Sequence, residues 1–324
     1  MRFIKNVALL LATSVLFSSC ATMLNGKYQK VQVTTDPKTE ILVNGEEPRT
    51  KKGMILLERN RQPKQITVKR EGYKDENVTV MQANKSPLYV LSVVPFGILF
   101  YPIFYDMGPK AFNYEKEITV SNDTKLVSQK LEESKNIQLE KVSAEIPGNE
   151  MRYRYFKTYK EYIKKKDRTG TSPTGDEEGL VLENTIFANL LNDILKEQGY
   201  IDTTKRVLKS SYLNNLKINA TAKKYVLHQV SSYVYSKFGG MMYAEISVDW
   251  DVLDFYGETI HSLTTSSISG EFAYMDSDEK SEAMNSALKD AMEYGLITFM
   301  QDEKVQELLI DRGEENRENE FEII

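Results

Sequence analysis

Apolar residues recur at two different periods along the chain, and the change of period divides it. Between residues 31 and 80 they alternate with polar ones in short runs: Val31, Val33 and Thr35, then Glu40 to Val43, Met54 to Leu57, Gln65 to Arg70, and Glu76 to Val80. A period of two puts alternate side chains on one face of a half-buried strand. Each run ends at a turn signal: Asp36-Pro37, Asn44-Gly45 or Glu71-Gly72-Tyr73. Asn-Gly is the strongest of these, because both residues tolerate positive φ in a two-residue hairpin. With Ile118 to Val120 as a closing strand, the pattern predicts a small β-sandwich over residues 31–120.

Farther on the period lengthens. Leu182, Ile186, Leu190, Ile194 and Leu195 are spaced for one face of a helix over Leu180 to Gln198, which Gly199 stops. Strand patterns follow at Leu216, Ile218 and Ala220, at Tyr225 to Tyr235, at Tyr243 to Leu253, and, beyond a turn at Gly257, from Thr259 to Ala273. A second helix is predicted over Asp276 to Met300, capped by Asp276 or Ser277 and packed through Ala283, Ala287, Leu288, Ala291 and Leu296. Helix, antiparallel strands and helix predict an α+β sandwich with flanking helices over residues 145–310. The alternation of Ile246, Val248, Trp250 and Val252 places the indole against the first helix near Leu190 and Ile194. Residues 121–144 read as a linker or marginal helix, and 311–324 as a frayed acidic tail.

One stretch obeys neither period. Leu88 to Tyr105 carries no charge, a borderline length for a membrane span. Pro95, Gly97 and Pro102 argue against a straight helix there. The segment therefore reads as packed core, as a hairpin dipping into the bilayer through Phe96, Leu99, Phe100 and Tyr101, or as a span.

The N-terminus supplies the most specific signal. Arg2 and Lys5 precede an uncharged apolar run from Val7 to Phe17, then Ser18-Ser19 and Cys20, the sole cysteine. That is the order of a secretory signal, with an apolar region too short to span a bilayer. With a cysteine directly after the small pair, residues 1–19 resemble a bacterial lipoprotein signal peptide. The resemblance implies acylation of Cys20, which becomes the first mature residue and starts a tether over 20–30. Ala21-Thr22 has no aspartate after the cysteine, which by analogy with sorting rules favours the outer membrane, facing the periplasm.

Two further resemblances concern the modules. Pro37, Val43-Asn44-Gly45 and Lys69-Arg70-Glu71-Gly72-Tyr73 fit the order of a PEGA-type β-sandwich repeat over about residues 28–120, with residues 88–105 as an apolar insertion. That family carries no catalytic residues to transfer. The order of helix (Ala188-Asn189-Leu190-Leu191), Gly199-Tyr200, strands (one holding Val248-Asp249-Trp250) and helix is similar to ABC-transport auxiliary and TolB-N-like lipoprotein domains. It implies envelope assembly or transport support and gives no residue a role.

Composition narrows the function classes. The chain has 324 residues, 41% hydrophobic and 27% charged, enough for two globular modules. Its net charge of −5 offers no basic surplus for nucleic acid, and no nucleic-acid partner is expected. With Cys20 acylated no cysteine remains for a disulfide, so stability rests on packing. The basic run of Lys160, Lys164, Lys165 and Lys166 reads as a solvated surface or a contact with anionic lipid phosphate.

Catalytic chemistry is hard to find. His228 and His261 lie in strand patterns without a nucleophile motif and read as surface or half-buried strand residues. No histidine spacing suits a zinc site, and neither a metal nor a cofactor is expected. Glu245, Asp249 and Asp251 share a strand face opposite Trp250. Next-but-one neighbours stand close enough for acid–base work on sugars, and a calcium site is the next alternative. The ordinary reading of alternating acids is the solvated side of a half-buried strand, here a candidate ligand face. The expected function is a non-enzymatic binding or scaffold lipoprotein of the cell envelope, held by its lipid anchor, with a protein or glycan partner. An accessory lipoprotein of a lipid or ABC-type transport complex and a glycan-acting enzyme remain as alternatives.

Overall fold

The computed structural model describes residues 25–82, 84–85, 112–122, 134–146, 152–156, 182–201, 215–231, 239–254 and 256–310. Cys20 and its signal, the 88–105 segment with Phe96, Leu99, Phe100 and Tyr101, the Lys160 to Lys166 run and the acidic tail lie outside these residues. Among the described residues, no helix is long and apolar enough to cross a membrane. The chain is α+β.

The N-terminal strands are β1 (Tyr28–Thr34), β2 (Thr39–Val43), β3 (Thr50–Lys51), β4 (Met54–Glu58), β5 (Lys64–Arg70), β6 (Glu76–Val80), β7 (Asn84–Lys85), β8 (Phe112–Asn113) and β9 (Glu117–Thr119). One sheet runs β3-β4-β1-β9, a second β2-β5-β6, and β7 pairs with β8. Both larger sheets turn apolar residues into one core: Val31, Ile55 and Leu57 from the first, Ile66, Val68 and Val80 from the second, closed by Tyr114, Ile118 and Val120. The alternation read from sequence is thus the inward face of two sheets. Asn44 and Gly45 do make a tight turn, with φ of 51° and 79°, and Val43 and Glu46 exchange hydrogen bonds across it. The hairpin ends there, because β2 takes β5 as its partner in place of the next strand.

The C-terminal unit comprises β10 (Asn136–Ala144), β11 (Arg152–Phe156), α1 (Asn184–Glu197), β12 (Asn215–Ser231), β13 (Gly240–Leu253), β14 (Thr259–Ile268), β15 (Phe272–Tyr274), α2 (Ser277–Met300) and α3 (Glu303–Leu309). Its sheet runs β10-β12-β13-β14, with β11 also on β12 and β15 also on β13. The two long central strands therefore each carry two partners end to end. β10 and β11 run parallel to β12; the other pairings are antiparallel. α2 starts where Asp276 accepts from the backbone N–H of Asp278 and Glu279, both at 3.0 Å, and α1 ends at Gly199, whose φ is 80°.

Three expectations change. Residues 136–144 are a strand, not a linker or helix: pairing with β12 outweighs the weak local pattern of Ile137, Leu139 and Val142. The predicted strand from Thr259 to Ala273 breaks at Ser269-Gly270, where Asn77 backbone approaches so closely that a β-carbon on Gly270 would lie 2.9 Å from its oxygen. Helix α2, not α1, covers the tryptophan: Trp250 stacks on Phe299 with ring centroids 4.8 Å apart. Helix α1 lies instead over β10 and against α2, with Phe187, Leu191, Ile194 and Leu195 buried.

The two units meet through polar groups. Glu271 donates its N–H to the Asn77 carbonyl at 2.9 Å, and its carboxylate accepts the Thr79 N–H at 3.0 Å, so it acts as a pseudo-strand on the β6 edge. Gln65 bridges the same junction, donating to the Glu271 carbonyl and accepting the Ala273 N–H, both at 2.7 Å. Beside it Lys74, buried, pairs with Asp290 at 2.7 Å and with Glu293. Tyr294 donates to Glu76 at 2.6 Å, and its ring lies under the Lys74 ammonium. Met81 adds an apolar contact to Val230 and Met241.

Candidate functional site

The strands β12, β13 and β14 bury their even-numbered β13 face under α2 and turn the odd-numbered one the other way. Ile246, Val248, Trp250 and Val252 are buried, while Glu245, Ser247, Asp249 and Asp251 are half-buried. The three acids thus share a face opposite Trp250, as their spacing requires. The register then sets their company. Asp249 lies between Thr221 of β12 and Thr264 of β14, and Asp251 between Asn219 and Ser262.

Each aspartate is held by a hydroxyl. Thr264 donates to Asp249 at 2.7 Å and Ser262 to Asp251 at 2.6 Å; Ser266 donates to Ser247 at 3.1 Å in the next row. A bulge between Ala222 and Lys224 displaces Lys223, whose ammonium bonds Glu145 at 2.6 Å and lies 4.0 Å from Asp249. The hydrogen bond between Lys223 and Glu145 raises the lysine's pKa and lowers the glutamate's, so both stay charged. Thr221, Lys223, Asp249, Asp251, Ser262 and Thr264 line an open groove of about 260 Å³, which Trp250 and Leu263 also border. Its walls offer carboxylate acceptors, hydroxyls and one ammonium. That set suits hydrogen bonding to a polar, hydroxyl- or amine-bearing group.

Glu245 lies outside this groove. His228 and Lys224 bond it at 2.8 and 2.9 Å. A carboxylate only accepts, so His228 carries its proton on Nε2. His228 is fully buried and stacks on its cross-strand partner Tyr243 at 4.1 Å, so it is neither the surface nor the half-buried residue expected. The strand pattern around it does not disclose this burial; at the same end of the sheet Met81 packs with Val230 and Met241. His261 is half-buried and bonds Asp302, the N-cap of α3, at 3.0 Å.

The His228 hydrogen bond holds the Glu245 carboxyl down at about 2, against the effect of burial and with help from Lys224. A depressed carboxyl pKa contributes stability above its unfolded value, near 4.5, and loses it as the pH falls through about 2. Glu245→Gln is therefore expected to destabilise the protein at neutral pH and to flatten its loss of stability below pH 4.5. Urea midpoints across that range check this; parallel curves for the two proteins would remove the assignment.

Among the described residues, no group of three or more His, Cys, Asp or Glu side chains could hold a metal ion. Sequence reasoning found the aspartates but missed Thr221, Lys223, Ser262 and Thr264. The alternation of Ser262, Thr264 and Ser266 was a usable signal; the bulge that places Lys223 was not.

No protein-family model matches the chain, and neither does any curated protein sequence. Among solved structures it is similar to a Xanthomonas campestris protein of the family DUF330, at 11% identity over 54% of this chain and 86% of that one, with a TM-score of 0.31. It is also similar to a candidate neuraminyllactose-binding hemagglutinin homologue from Helicobacter pylori, at 14% identity over 55% and 89% of the two chains, with a TM-score of 0.24. A third similarity, to a candidate lipoprotein from Caulobacter crescentus CB15, has 16% identity, covers 36% and 82%, and has a TM-score of 0.19. Likenesses of this size do not define a shared fold.

Proposed function

We propose that the chain is a periplasm-facing envelope lipoprotein, acylated at Cys20, that binds a protein or glycan partner and catalyses no reaction. The position of the sole cysteine, directly after Ser18-Ser19 and a short apolar run, carries the anchoring half of this reading. A single acyl chain binds a membrane with K of about 10⁴ M⁻¹, so stable attachment at the outer membrane requires two or more palmitate-like chains. In this reading the PEGA-like sandwich is a spacer that sets the α+β unit, with its own sandwich of sheet and helices, off the membrane. The groove of Asp249 and Asp251 is the binding face, because their carboxylates are already engaged by hydroxyls that a polar ligand would extend or replace.

Cys20→Ser is expected to abolish labelling by a fatty-acid analogue and to release the protein from the membrane fraction; equal labelling of wild type and variant would end the lipoprotein reading. Asp249→Asn with Asp251→Asn is expected to leave stability within about 0.5 kcal/mol, as for partly solvated surface positions. The doubly substituted protein, membrane-bound and folded, should fail to restore the phenotype of a deletion strain. Full restoration would place the binding face elsewhere.

A further inference from the structure

The C-terminal sheet ends in a strand that carries few of the usual guards of an edge. β14 has ten residues, pairs with β13 on one side, and has no strand on the other among the described residues. Between Thr259 and Ile268 there is no Lys, Arg, Asp, Glu or Pro, the residues that normally blunt an open edge. Its one irregularity is a bulge at its start, where Ile260 is the extra residue between His261, opposite Val252, and Thr259, opposite Leu253. Two large apolar side chains exposed to solvent, Ile260 at 48% and Ile268 at 60%, stand at its two ends. The strand is also fastened from behind: Ser267 donates to the Ala291 carbonyl at 2.6 Å, Thr265 accepts from Trp250 at 2.8 Å, and His261 bonds Asp302. It is a held template of the kind that strand addition uses.

We propose that β14 is a homodimer edge, on which a second copy adds its own β14 antiparallel about a two-fold axis at Thr264. Residues directly opposite in an antiparallel pair lie on the same face, so self-pairing must centre on a residue, not between two. Centring on Thr264 sets Ile260 opposite the partner's Ile268 and Ser262 opposite the partner's Ser266. Both isoleucines then gain an apolar neighbour in both halves, and hydroxyls face hydroxyls with no charge buried. Moving the centre two residues either way leaves an isoleucine opposite a polar residue or beyond the strand. This internal match favours a second copy over an unrelated peptide. Such an isologous contact closes on itself and does not propagate into a fibre. One strand pair buries less than the roughly 1,200 Å² of a stable interface, so the dimer is weak in dilute solution.

A chain from Ala21 to Ile324 retains every described element and has no cysteine. In it, Thr264→Cys would be its own cross-strand neighbour, within the Cα separation of about 4.4–6.8 Å that a disulfide needs. Ser262→Cys and Ser266→Cys would each lie about 13 Å or more from their own copies. Mild oxidation is therefore expected to link Thr264→Cys about tenfold faster than either flanking variant, with Ile268→Lys in the same chain slowing it. Circular dichroism confirms folding of each. Equal rates at the three positions, another ranking, indifference to Ile268→Lys, or no linked dimer overturns the proposal.

Discussion

Trp250→Ala is expected to cost about 3–5 kcal/mol, the usual penalty for truncating a large buried aromatic. That is a large share of the roughly 5–15 kcal/mol that holds a typical domain folded. Trp250 is 1% exposed, stacks on Phe299 and donates its indole N–H to Thr265 at 2.8 Å. It therefore joins β13, β14 and α2 at one point. Trp250→Phe keeps a ring against Phe299 and loses only the donor and part of the volume, so it should cost clearly less. Denaturant unfolding followed by far-ultraviolet circular dichroism compares the three proteins, since Trp250 is the sole tryptophan and its fluorescence is lost with it. A cost below about 1 kcal/mol for Trp250→Ala would mean that the core closes without it.

Lys74→Met is expected to cost a similar amount, about 3–5 kcal/mol, for an electrostatic reason. Burial alone pulls the Lys74 pKa down, but the carboxylates of Asp290 and Glu293 more than offset this and keep the amine charged. Asp290 is itself buried, which pushes its carboxyl up against the opposing pull of Lys74. Without the ammonium, Asp290 faces Glu293 with no compensating charge, and the strain of that repulsion falls on the hydrogen bond it accepts from the Gly270 N–H at 2.7 Å. The damage should fall on the junction between the units. Amide exchange at Gly270 and Thr79 is expected to accelerate, while that of the inner strands β12 and β13 changes little. Lys74→Met combined with Asp290→Asn should recover part of the loss, because the stranded charge is removed as well. If the pair is no better than Lys74→Met alone, the cluster is solvated and the assignment fails.

Much of this was legible in the sequence, for a physical reason. Period-two alternation from Val31 to Val80 and from Ile246 to Val252, helical spacing from Leu182 to Leu195, and the Asp276 cap are local rules, and neighbours in sequence are neighbours on the element. They placed most strand and helix segments and the shared face of Glu245, Asp249 and Asp251. What the chain could not disclose depends on partners far away in sequence. Strand β10 exists because β12 lies beside it; Trp250 meets Phe299, not Ile194, because α2 crosses β13; and β14 breaks because Asn77 crowds Gly270. The groove needed the register of β14 on β13 to bring Ser262 and Thr264 to the aspartates. The burial of Lys74 needed two units to meet, and that of His228 needed its cross-strand partners; only tertiary contact makes a charged or titratable side chain cheaper to bury than to solvate.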